Sequence, residues 1–396
     1  MIKGLRFFLL VGLLSPATLP AAPLSVSVTA EHQAITPNMR TVPIHIGGRT
    51  QATALPSPMP KGAMAHSHEW PGIYFEAAFV GDRVFLKFDD RYNQYRLIVD
   101  DNAPIIIDQP GNSEFAVNGL KWGKHRLRLE KISESIKVRG TFSGFFVPRN
   151  HKPLPFQSRV KQIEFIGPSA MTGYGVNSTK HECSPEEWRK ATNVQIGYAA
   201  LVAKHYDADY QINAISGRGL VRNWKDARTE SGLAALYPYM FSDKSVAYTD
   251  SNWRPQIIRI SGWVDLIAGP IEPEEQWKDH FLLYADWTDA LSALVVDLHT
   301  RSPQAAILID WSTAQDLWGM PQYQPNVDAA EATITSVARE AGVRKIVFGD
   351  FSIRPTNIPT LEMTACHNHL SVRDNERIAE WMIAYIDAHP DLWGGK

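Results

Sequence analysis

The apolar pattern of this 396-residue chain changes character once, at His151 to Phe156, where Pro153 and Pro155 interrupt it. Proline removes a backbone donor and biases its predecessor away from helix, so residues 151–160 are expected to form an extended linker. Before it, the segments Ile73–Phe79, Arg83–Phe88, Tyr95–Val99, Arg126–Leu129 and Lys137–Phe146 are rich in β-branched and aromatic residues. Turn residues at Gly81-Asp82, Asp100 to Asn102 and Gly119 to Gly123 separate several of them. Many short strands without helices predict an all-β sandwich over residues 23–150. After the linker, short apolar strands at Gln162–Ile166, Tyr210–Ala214, Gln256–Ile260, Ala305–Ile309 and Lys345–Phe348 alternate with helical stretches. One such stretch spaces Trp277, Phe281, Tyr284, Thr288, Leu291, Val295 and Leu298 three or four residues apart. Alternation of this kind predicts a parallel five-stranded sheet covered on both faces, over residues 161–396.

The first residues follow a different logic. Lys3 and Arg6 precede the apolar run Phe7 to Leu14, and a Ser-, Pro- and Ala-rich stretch follows to Ala22. This order predicts a secretory signal peptide over residues 1–22 and a secreted or periplasmic protein. The run is shorter than the roughly 20 apolar residues a membrane-spanning helix needs. Export would place the two cysteines, Cys183 and Cys366, where a disulfide forms and persists, and they are expected to pair; two buried thiols are the alternative. The formal charge of -2, from 40 basic and 42 acidic side chains without a run of either sign, gives no reason to expect nucleic acid or a membrane surface as partner.

In an open parallel sheet the crevice lies outside the carboxyl ends of the strands, so chemistry is expected just after them. The first strand runs into Gly167-Pro168-Ser169-Ala170-Met171-Thr172-Gly173-Tyr174-Gly175, a turn able to present the Ser169 hydroxyl; an ordinary turn serine is the alternative. The second ends at Ser216-Gly217-Arg218-Gly219, whose amides are candidates for an oxyanion site. Neither loop has the Gly-Lys-Ser/Thr ending of a phosphate-binding loop. Near the C-terminus, Cys366-His367-Asn368-His369 precedes an amphipathic helix bearing Val372, Ile378, Met382 and Tyr385. A histidine there is a candidate general base, and a surface histidine pair with no task is the main alternative; the His-x-His spacing also suits a metal, but matching Asp or Cys ligands are not evident, and no metal or organic cofactor is expected. The segment Leu220 to Trp253 carries Trp224, Tyr237, Tyr239, Phe241 and Tyr248, which either wall a sugar-binding cleft or pack against the first domain.

Taken together, the serine turn, the Ser-Gly-Arg-Gly turn, Gly262-Trp263-Val264-Asp265 and Cys366 to His369 resemble, in order and spacing, the four blocks of SGNH hydrolases. The segments around them, Glu187 to Ala203, Asp209 to Asn223 and Trp253 to Asp265, are similar to family 2 of the carbohydrate esterases. So are Gly48-Arg49-Thr50, Trp70-Pro71-Gly72 and Gly123-Lys124-His125 through Gly144-Phe145. The resemblance implies a jelly-roll domain followed by an α/β SGNH-hydrolase three-layer sandwich. It also implies a serine esterase that removes acetyl groups from an acetylated polysaccharide or oligosaccharide. Carried over by position, Ser169 is the nucleophile, His369 the base, and the amides of Ser169 and Gly217 the oxyanion donors. Trp263 and Trp224 are candidates for substrate contact. The chain departs from the family pattern at Pro168, which replaces an acidic residue and its N–H, at Val264, which replaces an Asn donor, and at His367, which stands where an acid usually orients the base. These departures motivate one alternative, a carbohydrate-binding relative with impaired catalysis; a polysaccharide O-acetyltransferase, in which a sugar hydroxyl rather than water resolves the acetyl-enzyme, is another.

Overall fold

The computed structural model describes residues 26–135, 138–225, 231–262, 265, 270–311, 324–349 and 361–394; the leader expected at 1–22, and Trp263 and Val264, lie outside them. Residues up to Leu154 build two antiparallel sheets packed face to face, one of seven strands and one of six. The strand expected at Lys137–Phe146 runs from Gly140 to Val147. The segment expected as linker begins with a strand, Lys152–Leu154, that pairs antiparallel with Tyr74–Gly81. Its extended, proline-bearing backbone suits the edge of the six-stranded sheet, where one row of donors is not needed.

The two-residue period of strands explains how the halves meet. Along the paired strands Tyr74–Gly81 and Gly123–Lys131, the side chains of Phe75, Ala77, Phe79, Leu127 and Leu129 enter the sandwich core. Their neighbours Tyr74, Glu76, Arg128 and Glu130 face the second half of the chain, where Arg128 donates to the Tyr210 hydroxyl at 2.9 Å and Lys204 pairs with Glu130 at 2.8 Å. The six-stranded sheet is therefore covered on both faces, which is why its polar alternate positions are buried.

The second half is a parallel sheet whose strands lie in the order Asp209–Ala214, Gln162–Gly167, Ile257–Ile260, Ala306–Asp310, Lys345–Gly349. Helices Tyr198–His205 and Val372–Ala388 pack on one face, burying Ile163, Phe165, Leu308, Ile378 and Met382. Helices His280–Arg301 and Gln324–Ala341 cover the other, against Ile258, Ile260, Ile307 and Ile309. Three layers result. The first helix of this second pair starts later than its apolar spacing predicts: the Asp279 side chain caps the amide of Leu282, and Trp277, placed in the helix by spacing, stands before it. A capping carboxylate satisfies an otherwise orphaned helical donor, so the cap overrides the periodicity. Because the first strand is flanked by the second on one side and the third on the other, the connections diverge there and open a crevice at its carboxyl end.

At the seam, Arg49 is buried between the rings of Trp70, Tyr237 and Tyr248, with its guanidinium carbon 4.1 Å from the Tyr248 centroid. Its Nη2 lies 3.6 Å from Glu164, which also accepts from Tyr237, Asn213 and Trp253. His45, Glu76 and Asp209 bring three ligand-type atoms together, but Arg159 bonds both carboxylates and Arg128 bonds Glu76, so the group is an ion-pair network. Of the aromatics in the Leu220 to Trp253 loop, Tyr237 and Phe241 are buried, and Arg139 covers the Phe241 ring. These residues pack against the first domain, whereas Trp224 is 50% exposed.

Candidate active site

The strand Gln162–Gly167 ends in a tight 3-10 turn, Ser169–Met171, entered through Pro168 in extended conformation. The turn places Ser169 at the mouth of the crevice, half-buried. From 200 residues further along, His369 brings its Nε2 to 2.8 Å from Ser169 Oγ. The other ring nitrogen, Nδ1, lies 3.0 Å from the carbonyl of Cys366 and 3.1 Å from that of His367. Carbonyls only accept, so Nδ1 carries the proton and Nε2 presents its lone pair to the serine hydroxyl. Burial pushes the His369 pKa below its ordinary value; the two carbonyls oppose that shift and the neighbouring His367 adds to it. The imidazole is thus a neutral acceptor at neutral pH.

The local backbone that achieves this is unusual. His367 and Asn368 both adopt left-handed conformations, with φ of 53° and 58°. That bend folds the two preceding carbonyls back beneath the ring of His369. His367 occupies the position from which an acid usually steers the base, and its main chain takes over the steering. Its side chain instead accepts or donates at 2.9 Å with the Tyr174 hydroxyl, and the Tyr174 ring stacks on His369 at 4.1 Å. Leu370 is buried just beyond, and Ser371 and Asp374 form a reciprocal cap on the following helix. The His369 ring is therefore held between a buried anchor and a stacked ring.

Cys183 and Cys366 form a disulfide, with their Cα atoms 5.5 Å apart. It ties the histidine loop to the segment ahead of helix Pro185–Ala191. Gly175 lies against it: a Cβ there would come within 2.5 Å of the Cys366 Cβ, and its φ of +56° already disfavours any side chain. The serine turn and the histidine loop thus share one packed corner.

Gly217 sits across the crevice with φ +74°. Among the described residues, neither its amide nor that of Ser169 has a protein acceptor. Its carbonyl accepts from the amide of Trp224 at 2.8 Å, which sets the exposed indole beside the turn. Asp265 is buried below and accepts from the amides of Leu220, Val221 and Arg222. Burial lifts its pKa to about 7 against those three bonds, and its role is to hold the loop that follows the glycine turn. Trp263 and Val264, expected as a substrate contact and as a lost oxyanion donor, lie outside the described residues.

Three neighbours of the pair do not stand out in sequence. Tyr174 and Thr172 follow the serine by a few positions, and Thr172 Oγ1 lies 3.0 Å from the Ser169 carbonyl. Glu134 comes from the first domain, and its carboxylate bonds the Ser216 amide at 2.6 Å and the Ser216 hydroxyl at 2.5 Å. The stacking position of Tyr174 had a signal in its nearness to the serine; Glu134 had none, because no local pattern connects it to a loop 82 residues away.

The likeness to known proteins follows the same architecture. Residues 60–156 match the family described as carbohydrate esterase 2 N-terminal. Over 359 residues, 89% of this chain and 93% of the relative, the chain is 36% identical to an acetylxylan esterase / glucomannan deacetylase of Cellvibrio japonicus. A solved carbohydrate esterase, whose active site is described as having divergent catalytic and non-catalytic binding functions, superposes with a TM-score of 0.77. It is 33% identical and covers 89% of this chain and 100% of its own. A family two carbohydrate esterase from Clostridium thermocellum, solved with cellohexaose, shares the fold at a TM-score of 0.67 and 22% identity, covering 88% of this chain and 100% of its own. The identity sustained over nearly the full length of both chains, on this two-part architecture, places the protein in family 2 of the carbohydrate esterases.

Proposed function

We propose that this chain is an exported serine esterase that removes O-acetyl groups from a polysaccharide through an acetyl-serine intermediate. The observation that carries the reading is the 2.8 Å contact between His369 Nε2 and Ser169 Oγ, with Nδ1 committed to two carbonyls. In this reading the Ser169 oxygen attacks the acetyl carbonyl while His369 takes the hydroxyl proton. The tetrahedral oxyanion accepts from the amides of Ser169 and Gly217. His369 then returns the proton to the departing sugar oxygen, leaving acetyl-Ser169. Water, deprotonated by the same imidazole, releases acetate and restores the serine. Every proton step uses one nitrogen, so a backbone-steered histidine suffices.

The substrate class is supported by the deacetylase named among the relatives, by the cellohexaose complex of a structural neighbour, and by the exposed Trp224 ring beside the glycine turn. Export is supported by the leader and by the disulfide. Purified protein is expected to release acetate from acetylated xylan or glucomannan and from an aryl acetate. Ser169→Ala is expected to lower turnover at least about 1,000-fold. A wild-type rate no higher than that of Ser169→Ala on all these substrates overturns the reading.

A second reading, glycan binding with little turnover, is favoured by Pro168, which contributes no N–H beside the nucleophile. Saturable binding of a glucan or xylan oligosaccharide, with a rate indistinguishable from Ser169→Ala, selects it.

A further inference from the structure

We infer that Glu134, supplied by the sandwich domain, is a positioning residue for the oxyanion turn; this rests on the esterase reading of Ser169 and Gly217. Glu134 is 5% exposed and stands just after the strand Gly123–Lys131, at the seam between the domains. One carboxylate oxygen accepts from the Ser216 amide at 2.6 Å and the other from the Ser216 hydroxyl at 2.5 Å. Thr172, three residues after the nucleophile, lies 3.2 Å from the same Ser216 Oγ and donates to the Ser169 carbonyl at 3.0 Å. One acidic group from the first domain therefore grips the glycine turn of the second, and Ser216 in turn lies against the serine turn through Thr172.

The consequence follows from geometry. Fixing the Ser216 amide and hydroxyl on a bidentate acceptor fixes the entry to the turn, and the Arg218 amide, donating to the Ile215 carbonyl at 3.1 Å, closes it, so the Ser216–Gly217 peptide and its N–H are held between the two. An oxyanion donor is useful only if aimed before the charge develops, since its reorganisation would otherwise be part of the barrier. Hydrogen bonds to a carboxylate are short and stronger than those between neutral groups, so a two-point contact of this kind restrains a loop well. The segment that carries the carboxylate is held at its next residue. Ser135, its neighbour, accepts from the buried Lys131 ammonium at 2.8 Å, and Lys131 also donates to the carbonyls of Glu69 and Trp70. The sandwich domain thereby completes the reactive edge rather than only flanking it.

The test uses the full mature chain, with Glu134→Ala, Glu134→Gln and Ser169→Ala. Initial rates on an aryl acetate are divided by the sites that a serine-directed phosphonate titrates at completion, which removes any misfolded fraction. Glu134→Ala is expected to lose about tenfold or more in kcat with KM within about threefold, and Glu134→Gln, which keeps one acceptor for the Ser216 amide, to lose less. Peptide-level hydrogen exchange, which does not depend on turnover, is expected to show lost protection across Ser216 to Gly219 in Glu134→Ala. Wild-type kcat per titrated site in both variants, or unchanged exchange at that turn, overturns the inference. Inactivity of the wild type itself counts against the esterase reading, and the exchange measurement still decides whether Glu134 anchors the turn.

Discussion

The reactive edge and the seam between the domains lie within one molecule yet are built from opposite materials. At the edge, the groups placed to react are neutral or main-chain: an imidazole is oriented by two carbonyls, a ring and a disulfide, and the candidate oxyanion donors are amides, with the carboxylates of Glu134 and Asp265 acting on the loops behind them. At the seam, buried charges are dense: Arg49 with Glu164, Arg128 and Arg159 with Glu76, and Lys204 with Glu130. Main-chain groups hold their direction without rotamer entropy, which suits a site that must be aimed in advance. Buried ion pairs contribute little net stability but strongly penalise misdocking, since any slip leaves a charge without its partner. The difference teaches that the final aim of the groups in the site is left to main chain and neutral rings, whereas register between the domains is left to charge, with Glu134 the carboxylate that reaches from one to the other.

That contrast can be broken by substitutions that affect one region and spare the other. His369→Ala is expected to reduce aryl-acetate turnover at least about 1,000-fold, while the urea midpoint stays near that of the wild type; a variant that keeps its activity removes the base from the scheme. Arg49→Ala is expected to do the reverse, costing about 3 to 5 kcal/mol in urea unfolding because Glu164 loses its buried cation. Equal stability of that variant would mean that the seam is held by apolar contact alone.

The disulfide joins the two problems, because it stabilises the chain and tethers the loop of the base. Cys183→Ser is expected to cost roughly 2 to 5 kcal/mol by denaturation and also to lower kcat. A loss of stability with unaltered kcat would show that Tyr174 and the left-handed bend hold His369 unaided.

Trp224→Ala is expected to raise KM for an oligosaccharide about tenfold, with kcat on an aryl acetate unchanged. A smaller pH effect sharpens the picture of the edge. As the proposed base His369 would act when neutral, and its pKa is lowered by burial, so kcat/KM is expected to be level at neutral pH and to fall only below pH 6.5, the ordinary value for histidine. An inflection above 6.5 would mean that a carboxylate stabilises the imidazolium. Acid should act on the seam at still lower pH. Burial alone would raise the Glu130 carboxyl, but Lys204, Arg128 and Arg96 outweigh it and hold it at about 2. Since the folded value is depressed, its contribution to stability is present above the unfolded value near 4.5 and is lost as pH falls from there towards 2.

How far the chain could be read without its fold differed by region. The five parallel strands were legible because each is a short apolar run bounded by turn residues, and the structure places them within one or two residues of expectation. Ser169 and Gly217 were legible as residues on turns after such strands. The bend at His367 and Asn368 was not, since His and Asn favour the left-handed region over other side chains but adopt it at only a few positions, and the orientation it gives the ring exists only in three dimensions. The loop aromatics were ambiguous for a related reason: Tyr237 and Trp224 are alike in periodicity, and only the position of Arg49 in the other domain decides that one is buried.

What the sequence alone determined here is whatever depends on near neighbours: the two periodicities, the change between them at Pro153, the glycines at sharp turns, and the presence of one serine and one histidine in suitable loops. The tertiary structure decided everything that depends on pairs distant in the chain. It set the 2.8 Å approach across 200 residues, the pairing of Cys183 with Cys366, and the reach of Glu134 to Ser216. The reason is physical. Local preference fixes the conformation of a few residues at a time, whereas contact between remote groups is chosen by the burial of whole faces, and no short stretch of chain carries that information.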